Sequence, residues 1–263
     1  MKRSTFFYHL KRLKEPYKYF QERQIINDVF KENKGRYGYR RITLELNKRG
    51  FHINHKTVSM LMKQLNIKCE MRKVRYHSYK GDVGKTVPNI INRNFYSARP
   101  NRKWATDITQ MSINNNKCYL SPIMDMFNGE LISFSISNSP NMNMIIDMLA
   151  GAYDKVKNTN GIILHSDQGW HYQNCRYQQS LKEHGIIQSM SRKGNCLDNA
   201  MMENFFGLMK SELLYANQYH SIEHFVSELR IYIEYYNNKR IKLRLKGMSP
   251  VEYRNNYLKK HYI

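Results

Sequence analysis

Between residues 104 and 187 the apolar residues alternate between strand-like and helix-like spacing, and few folds accommodate that order. Trp104–Thr109, Cys118–Phe127 and Leu131–Ser137 read as three successive strands, the last two joined at Asn128-Gly129, a pair suited to a tight hairpin turn. Asn141–Val156 reads as a helix whose apolar stripe is Ile145, Met148, Leu149 and Ala152. Gly161-Ile162-Ile163-Leu164 suits a buried strand, and a helix from about Arg176 to Glu183 leads to another apolar strand at Ile186-Ile187. The order βββ-α-β-α-β-α predicts an α/β fold: a mixed five-stranded sheet with flanking helices on both faces.

The N-terminal part has a different period. Residues 18–33 read as a helix carrying Phe20, Ile25, Val29 and Phe30. After Gly35-Arg36-Tyr37-Gly38-Tyr39-Arg40-Arg41, a short helix with Ile42, Leu44 and Leu46 stops near Gly50. Asn54 can cap a third helix, on which Val58, Leu61, Met62 and Leu65 form the apolar stripe and Lys56 and Lys63 are carried. A small all-α helix-turn-helix-like domain and an ordinary three-helix bundle both fit this spacing.

Charge favours the first of these. Residues 1–80 hold 21 Lys and Arg against 6 Asp and Glu, residues 101–220 hold 10 of each sign, and residues 221–263 hold 9 against 4. Two basic arms around a neutral middle read as polyanion binding, because cations that displace counterions from phosphates supply sequence-independent affinity. A merely solvated basic surface is the plainer alternative. Residues 76–101 lose periodicity and carry Gly81, Gly84, Pro88 and Pro100. The expected organisation is a basic helical DNA-binding region over 1–80, a linker over 81–96, and a third part over 97–258, with its core reaching about 220 before a basic C-terminal helical extension.

Other classes are excluded. No window approaches eighteen consecutive apolar residues, which rules out an ordinary membrane-spanning helix. Met1–Phe7 has no apolar signal region, so a reducing cytoplasmic setting is expected. Cys69, Cys118, Cys175 and Cys196 form no CxxC pair, and His52 and His55 lack one to complete a zinc module. No GxxxxGK[ST] run occurs, so no nucleotide cofactor is expected.

Acidic residues are sparse enough to weigh singly. Asp107 lies on the first core strand, where a charge is costly unless paired or bound to a cation. Asp167, in His165-Ser166-Asp167-Gln168-Gly169, follows a buried strand, where α/β folds place ligands. Glu203 lies on a helix capped near Asp198, whose stripe is Met202, Phe205, Phe206, Met209 and Leu213. Asn199, Glu203 and Lys210 form a second line beside that stripe, either a face for phosphate and metal or a surface stripe. Singly, each acid reads more readily as structural than catalytic. Together they suit phosphodiester chemistry, in which two Mg²⁺ ions held by carboxylates activate one oxygen and stabilise another. His165 serves either to orient the pocket or as a structural histidine.

The Thr-Asp-Ile-Thr strand, His-Ser-Asp-Gln-Gly, and Ser-Met-Ser-Arg-Lys-Gly-Asn-Cys-Leu-Asp-Asn-Ala with Glu-Asn-Phe-Phe closely resemble bacterial insertion-sequence transposases of the OrfB type. Thirty-five residues separate Asp167 from Glu203, as in the D-D-35-E arrangement of the DDE superfamily. Tyr235-Tyr236-Asn237-Asn238-Lys239-Arg240, with Ser249-Pro250-Val251-Glu252-Tyr253, and Gly35–Ile42 are similar to that family's C-terminal and N-terminal segments.

The resemblance implies an RNase H-like, retroviral-integrase-like catalytic core. Its triad of Asp107, Asp167 and Glu203 is both catalytic and metal-binding, with Mg²⁺ as cofactor or Mn²⁺ in its place. It implies DNA 3′-end cleavage and strand transfer during transposition, on double-stranded DNA comprising terminal repeats and target. The DNA-binding residues expected are Arg36, Arg40, Arg41, Lys56, Lys63, Arg192, Lys193, Asn199 and Lys210. The further expectations are a homo-multimer on DNA, a nucleoid-associated bacterial location, no membrane, and an upstream-frame helix-turn-helix protein as partner, since the chain starts at its own Met without a leucine-zipper run. A nuclease that hydrolyses without joining, and a DNA-binding regulator with an inert core, are the rival readings.

Overall fold

The computed structural model describes residues 19–69 and 86–262. The chain divides into two compact units, with the boundary after position 71.

Among the described residues the first unit holds three helices, α1 (Phe20–Glu32), α2 (Tyr39–Lys48) and α3 (His55–Gln64). Ile26, Val29, Tyr37, Ile42, Leu46, Val58, Leu61 and Met62 are buried in it. The buried residues of α1 are Ile26 and Val29; Phe20 opens the helix and is exposed, and Ile25 is only half-buried. Asn54 caps α3 as expected, its Oδ1 accepting from the Lys56 N–H at 2.8 Å.

The second unit is built on one mixed sheet. Its strands are β1 (Lys103–Thr106), β2 (Thr109–Ile113), β3 (Asn116–Asp125), β4 (Leu131–Ser137), β5 (Ile163–Ser166) and β6 (Ile187–Met190). β3 pairs antiparallel with β4 on one side and with β2 and β1, end to end, on the other. β5 then adds parallel to β1, and β6 parallel to β5. β2 and β3 turn at Asn114-Asn115, both left-handed at φ 47° and 67°, as a two-residue hairpin requires.

Six strands thus occupy five positions. The first expected strand is divided at Asp107-Ile108, yet its register against β3 carries through, from Thr106↔Ile123 to Thr109↔Leu120. The Lys103 oxygen accepts from the Met126 N–H, so every second residue from 103 sits at a hydrogen-bonded position of the ladder. Continued, that alternation sets Pro122 opposite Asp107, and proline has no N–H to complete the pair.

Helices cover both faces, as the sequence predicts. On one face α4 (Met142–Lys155) and α6 (Cys175–Glu183) bury Ile145, Met148, Leu149, Tyr177 and Leu181 in a cluster with Trp104, Ile123 and Leu164. On the other, α7 (Ala200–Met209) and α8 (Ile222–Asn238) bury Phe205, Phe206, Met209, Leu229 and Tyr232 with Ala105, Met111 and Leu120. The basic C-terminal stretch forms α9 (Pro250–Tyr262), tied to the end of β3 by Arg254 Nη2 donating to Asp125 Oδ2 at 2.6 Å.

Of the expected linker, residues 81–85 lie outside the described residues. Residues 86–96 have no helix or strand but are bound to the second unit: the Ile90 N–H donates to Ser189 Oγ at 2.9 Å, and Ile91 is buried. No helix among the described residues is long and apolar enough to cross a membrane.

Candidate active site

β1 and β5 run parallel with Trp104 beside Leu164 and Ala105 beside His165. Two residues further on, the same register sets Asp107 beside Asp167, each just past the C-terminal end of its strand. Neighbouring parallel strands are about 4.8 Å apart, so the two carboxylates leave adjacent strands at the same level of the sheet.

Electrostatics records this proximity. The Asp107 carboxyl is raised well above the ordinary range, first by burial and then by the negative charge of Asp167. The Ile108 N–H, donating to Asp107 Oδ1 at 2.7 Å, opposes the rise; Glu203 adds to it and Lys210 opposes it. Asp167 is also raised by burial, and is held back by the Gly169 N–H at 2.8 Å and by His171. An added Cβ at Gly169 would stand 2.9 Å from Asp167 Oδ1, so a side chain there would push that carboxylate aside.

Glu203 sits in the first turn of α7 and is raised by burial. Lys210 follows α7 at the start of a π turn (Lys210–Leu214), a local widening often found at functional sites. Burial lowers its ammonium, and Asp107 opposes that shift. The other two acids and the cation expected from the sequence therefore act on a common point, Asp107.

Among the described residues, no three His, Cys, Asp or Glu side chains are gathered closely enough to form a metal cage. The donor chemistry nevertheless fits a hard divalent cation: Asp167 and Glu203 both raise the buried Asp107 carboxyl, and Lys210 offsets them only in part. Asn199 adds a buried Oδ1 that has no hydrogen-bond partner.

The start of α7 is fixed to the strand ends by two side chains. Asn199 Nδ2 donates to the Thr106 oxygen at 3.1 Å. His165, wholly buried, has Nε2 3.0 Å from the Asp198 backbone oxygen and Nδ1 2.9 Å from Ser189 Oγ. A carbonyl only accepts, so Nε2 carries the proton and Nδ1 accepts from the hydroxyl. Burial pushes this imidazole down to about 4, so it is a neutral tie between β5, β6 and α7. His165 is thus a structural tie that also fixes where the turn before α7 begins.

Asp198 is a clamp that sequence reasoning reduced to a cap. Its buried carboxylate accepts from Arg192 Nε and Nη2, both at 2.9 Å, from Arg93 Nε at 2.8 Å and from Asn89 Nδ2 at 3.0 Å. Arg192 holds its carboxyl well below the usual range. Pairs of this kind were not legible, because Asn89 and Arg93 lie about a hundred residues upstream.

The expected DNA-contacting residues are spread over several settings. Arg40, Lys56 and Lys63 are exposed on α2 and α3, and Arg41 is half-buried with its guanidinium 5.5 Å from the centre of the Tyr37 ring. Arg36 is only 8% exposed and belongs to the interior of the first unit. Lys193 is exposed, whereas Arg192 directs Nε and Nη2 at Asp198 and leaves 53% of its side chain exposed. Asn199 is buried against β1 and Lys210 is half-buried.

Models of an integrase core domain match residues 97–196 and 203–258, and a model of an HTH-like domain matches residues 20–75. The chain is 53% identical over 253 residues to InsK of the insertion sequence element IS150 from Escherichia coli K12, covering 96% of this chain and 89% of that one. It belongs to the integrase-core transposases of bacterial insertion sequences. A second such transposase, that of insertion sequence element IS904 from Lactococcus lactis, is 35% identical over 246 residues, with 91% of this chain and 97% of the relative covered. The transposase fold is also similar to a chain of the simian T-cell lymphotropic virus intasome, with a TM-score of 0.52 at 16% identity over 80% of this chain and 73% of that one. That likeness makes the sheet RNase H-like, as expected from the sequence.

Proposed function

We propose that this transposase is a DDE polynucleotidyl transferase that frees a DNA 3′ end and joins it to a second site. Asp107, Asp167 and Glu203 would hold Mg²⁺, or Mn²⁺ in its place. When bound, such cations supply activation of an attacking oxygen and stabilisation of a leaving one. Water attacks the phosphodiester at the element's end and releases a 3′-hydroxyl. That hydroxyl then attacks a phosphodiester of the target, so each P–O bond broken is replaced by one formed and no ATP is consumed.

The chain's own residues position these steps. Asn199 and His165 keep the first turn of α7, and so Glu203, fixed relative to the ends of β1 and β5. Lys210 sets a cation beside Asp107, and Lys193 with the exposed part of Arg192 meets the DNA backbone. Arg40, Lys56 and Lys63 of the first unit grip duplex DNA of the terminal repeats. The working form is a homo-multimer assembled on DNA in the bacterial cytoplasm, with the upstream-frame helix-turn-helix product as a further partner.

The observation that carries this reading is the registry of Asp107 with Asp167, with Asp107 also raised by Glu203. The test is incubation of the purified chain with labelled element ends and Mg²⁺, with and without the upstream-frame product. Asp107→Asn, Asp167→Asn and Glu203→Gln are each expected to abolish cleavage and joining while DNA retention persists. Activity surviving any one substitution removes that residue from the site.

A further inference from the structure

Three residues beyond Asp167, at the start of the four-residue helix α5 (Trp170–Gln173), stands a half-exposed indole. Trp170 is 49% exposed, unusual for the largest apolar side chain. One side of it is occupied: its ring lies 3.7 Å from that of His171 at an interplanar angle of 29°. His171 is itself buried, with Nε2 2.6 Å from the Pro140 oxygen, so it forms a fixed floor under the indole. His171 also acts electrostatically on Asp167, and the Gly169 N–H immediately before Trp170 donates to Asp167 Oδ1. The indole is therefore one ring away from an acid of the proposed site.

An aromatic ring held rigid on one side, with surface left open beside a carboxylate site for phosphodiesters, is suited to a planar apolar ligand attached to a phosphate chain. A nucleobase is such a ligand, and stacking requires that it be unpaired and turned out of the duplex. We propose that Trp170 stacks on an unpaired nucleobase of the strand being processed and so positions the adjacent phosphodiester at Asp107 and Asp167. The assignment rests on the DNA-cleaving reading above. It makes Trp170 a positioning residue and ties efficient processing to fraying of the DNA end.

The chain has two tryptophans, and the other, Trp104, is wholly buried, so emission from the exposed indole reports on Trp170. The experiment titrates the full chain, without divalent metal, with three labelled duplexes. They are fully paired, ending in one unpaired thymidine, or ending in an abasic sugar in its place. Indole emission and label anisotropy are read together. Only the unpaired thymidine is expected to quench the emission. Trp170→Ala should weaken binding of that duplex about tenfold while leaving the paired duplex unchanged, and Trp170→Phe should restore most of the difference. Equal quenching by the abasic duplex, an equal loss on all three, or quenching that follows protein concentration without DNA would overturn the stacking assignment alone. Failure of every duplex to bind wild-type protein would overturn the DNA reading with it.

Discussion

The Nε2 of His165 lies 3.0 Å from the backbone oxygen of Asp198, joining the strand that ends in one acid to the turn that starts the helix carrying another. The same ring meets Ser189 Oγ, whose oxygen also accepts from the Ile90 N–H. One buried imidazole thereby connects β5, β6, α7 and the segment leading into the sheet. His165→Ala leaves a buried hydroxyl and a buried carbonyl without this partner and opens a cavity. Chemical denaturation should show a loss of about 2–4 kcal/mol, and His165→Asn a smaller one; unchanged stability in His165→Ala would refute the structural role.

The Asp198 clamp gives the stability a defined pH dependence. Its folded carboxyl is held below its ordinary value, chiefly by Arg192. The unfolded chain therefore binds the proton more readily, and the stabilisation is present above about pH 4 and lost as pH falls through the lower folded value. Asp198→Asn should cost about 2–3 kcal/mol near neutral pH, with the gap to wild type closing on acidification. A gap that stays constant down to the acid transition would contradict the clamp.

Glu212 and Arg240 form a buried pair, Nε donating to Oε2 at 2.8 Å and Nη2 to Oε1 at 2.7 Å, with the Tyr232 hydroxyl also donating to Oε2. This pair anchors the π turn that begins at Lys210. Removing one partner leaves a buried charge uncompensated, so Glu212→Gln is expected to cost about 3–5 kcal/mol. Glu212→Leu with Arg240→Met should recover a large part of that, as read by the denaturation midpoint. A double variant no more stable than Glu212→Gln would argue against an isolated buried charge as the cause.

Asp107 is held under repulsion from Asp167 and Glu203. Relief of that repulsion should make Asp107→Asn more stable than wild type in chelator, by about 1–2 kcal/mol, while activity is lost. The thermal midpoint with and without Mg²⁺ checks this; wild type should gain from Mg²⁺ and Asp107→Asn should not. A fall in metal-free stability on Asp107→Asn would mean that the carboxylate is structural.

Much of this architecture was legible because it rests on local periodicity. The stripe of Ile145, Met148, Leu149 and Ala152 and that of Met202, Phe205, Phe206 and Met209 are buried as their spacing predicts. What was not legible depends on register or on distant partners. The gap at Asp107-Ile108 arises from Pro122 on another strand, visible only once β1 and β3 are aligned. Ile26 replaces Ile25 in the α1 core because neighbouring positions both fit a loose helical stripe until α2 and α3 choose between them. Trp170 opens a helix too short to show any period. Of the site itself, the acids and their chain spacing could be read directly, but the role of Asp198 could not.

We propose that Asp107, Asp167 and Glu203 together bind divalent metal. Titration of Mn²⁺ into the purified chain, with free ion followed by electron paramagnetic resonance, measures this without DNA or turnover. Wild type is expected to take up Mn²⁺ in competition with Mg²⁺, and Asp107→Asn, Asp167→Asn and Glu203→Gln each to lose most of that uptake while remaining folded. Uptake unchanged in all three variants, or absent from folded wild type, would show that these acids do not form a metal site.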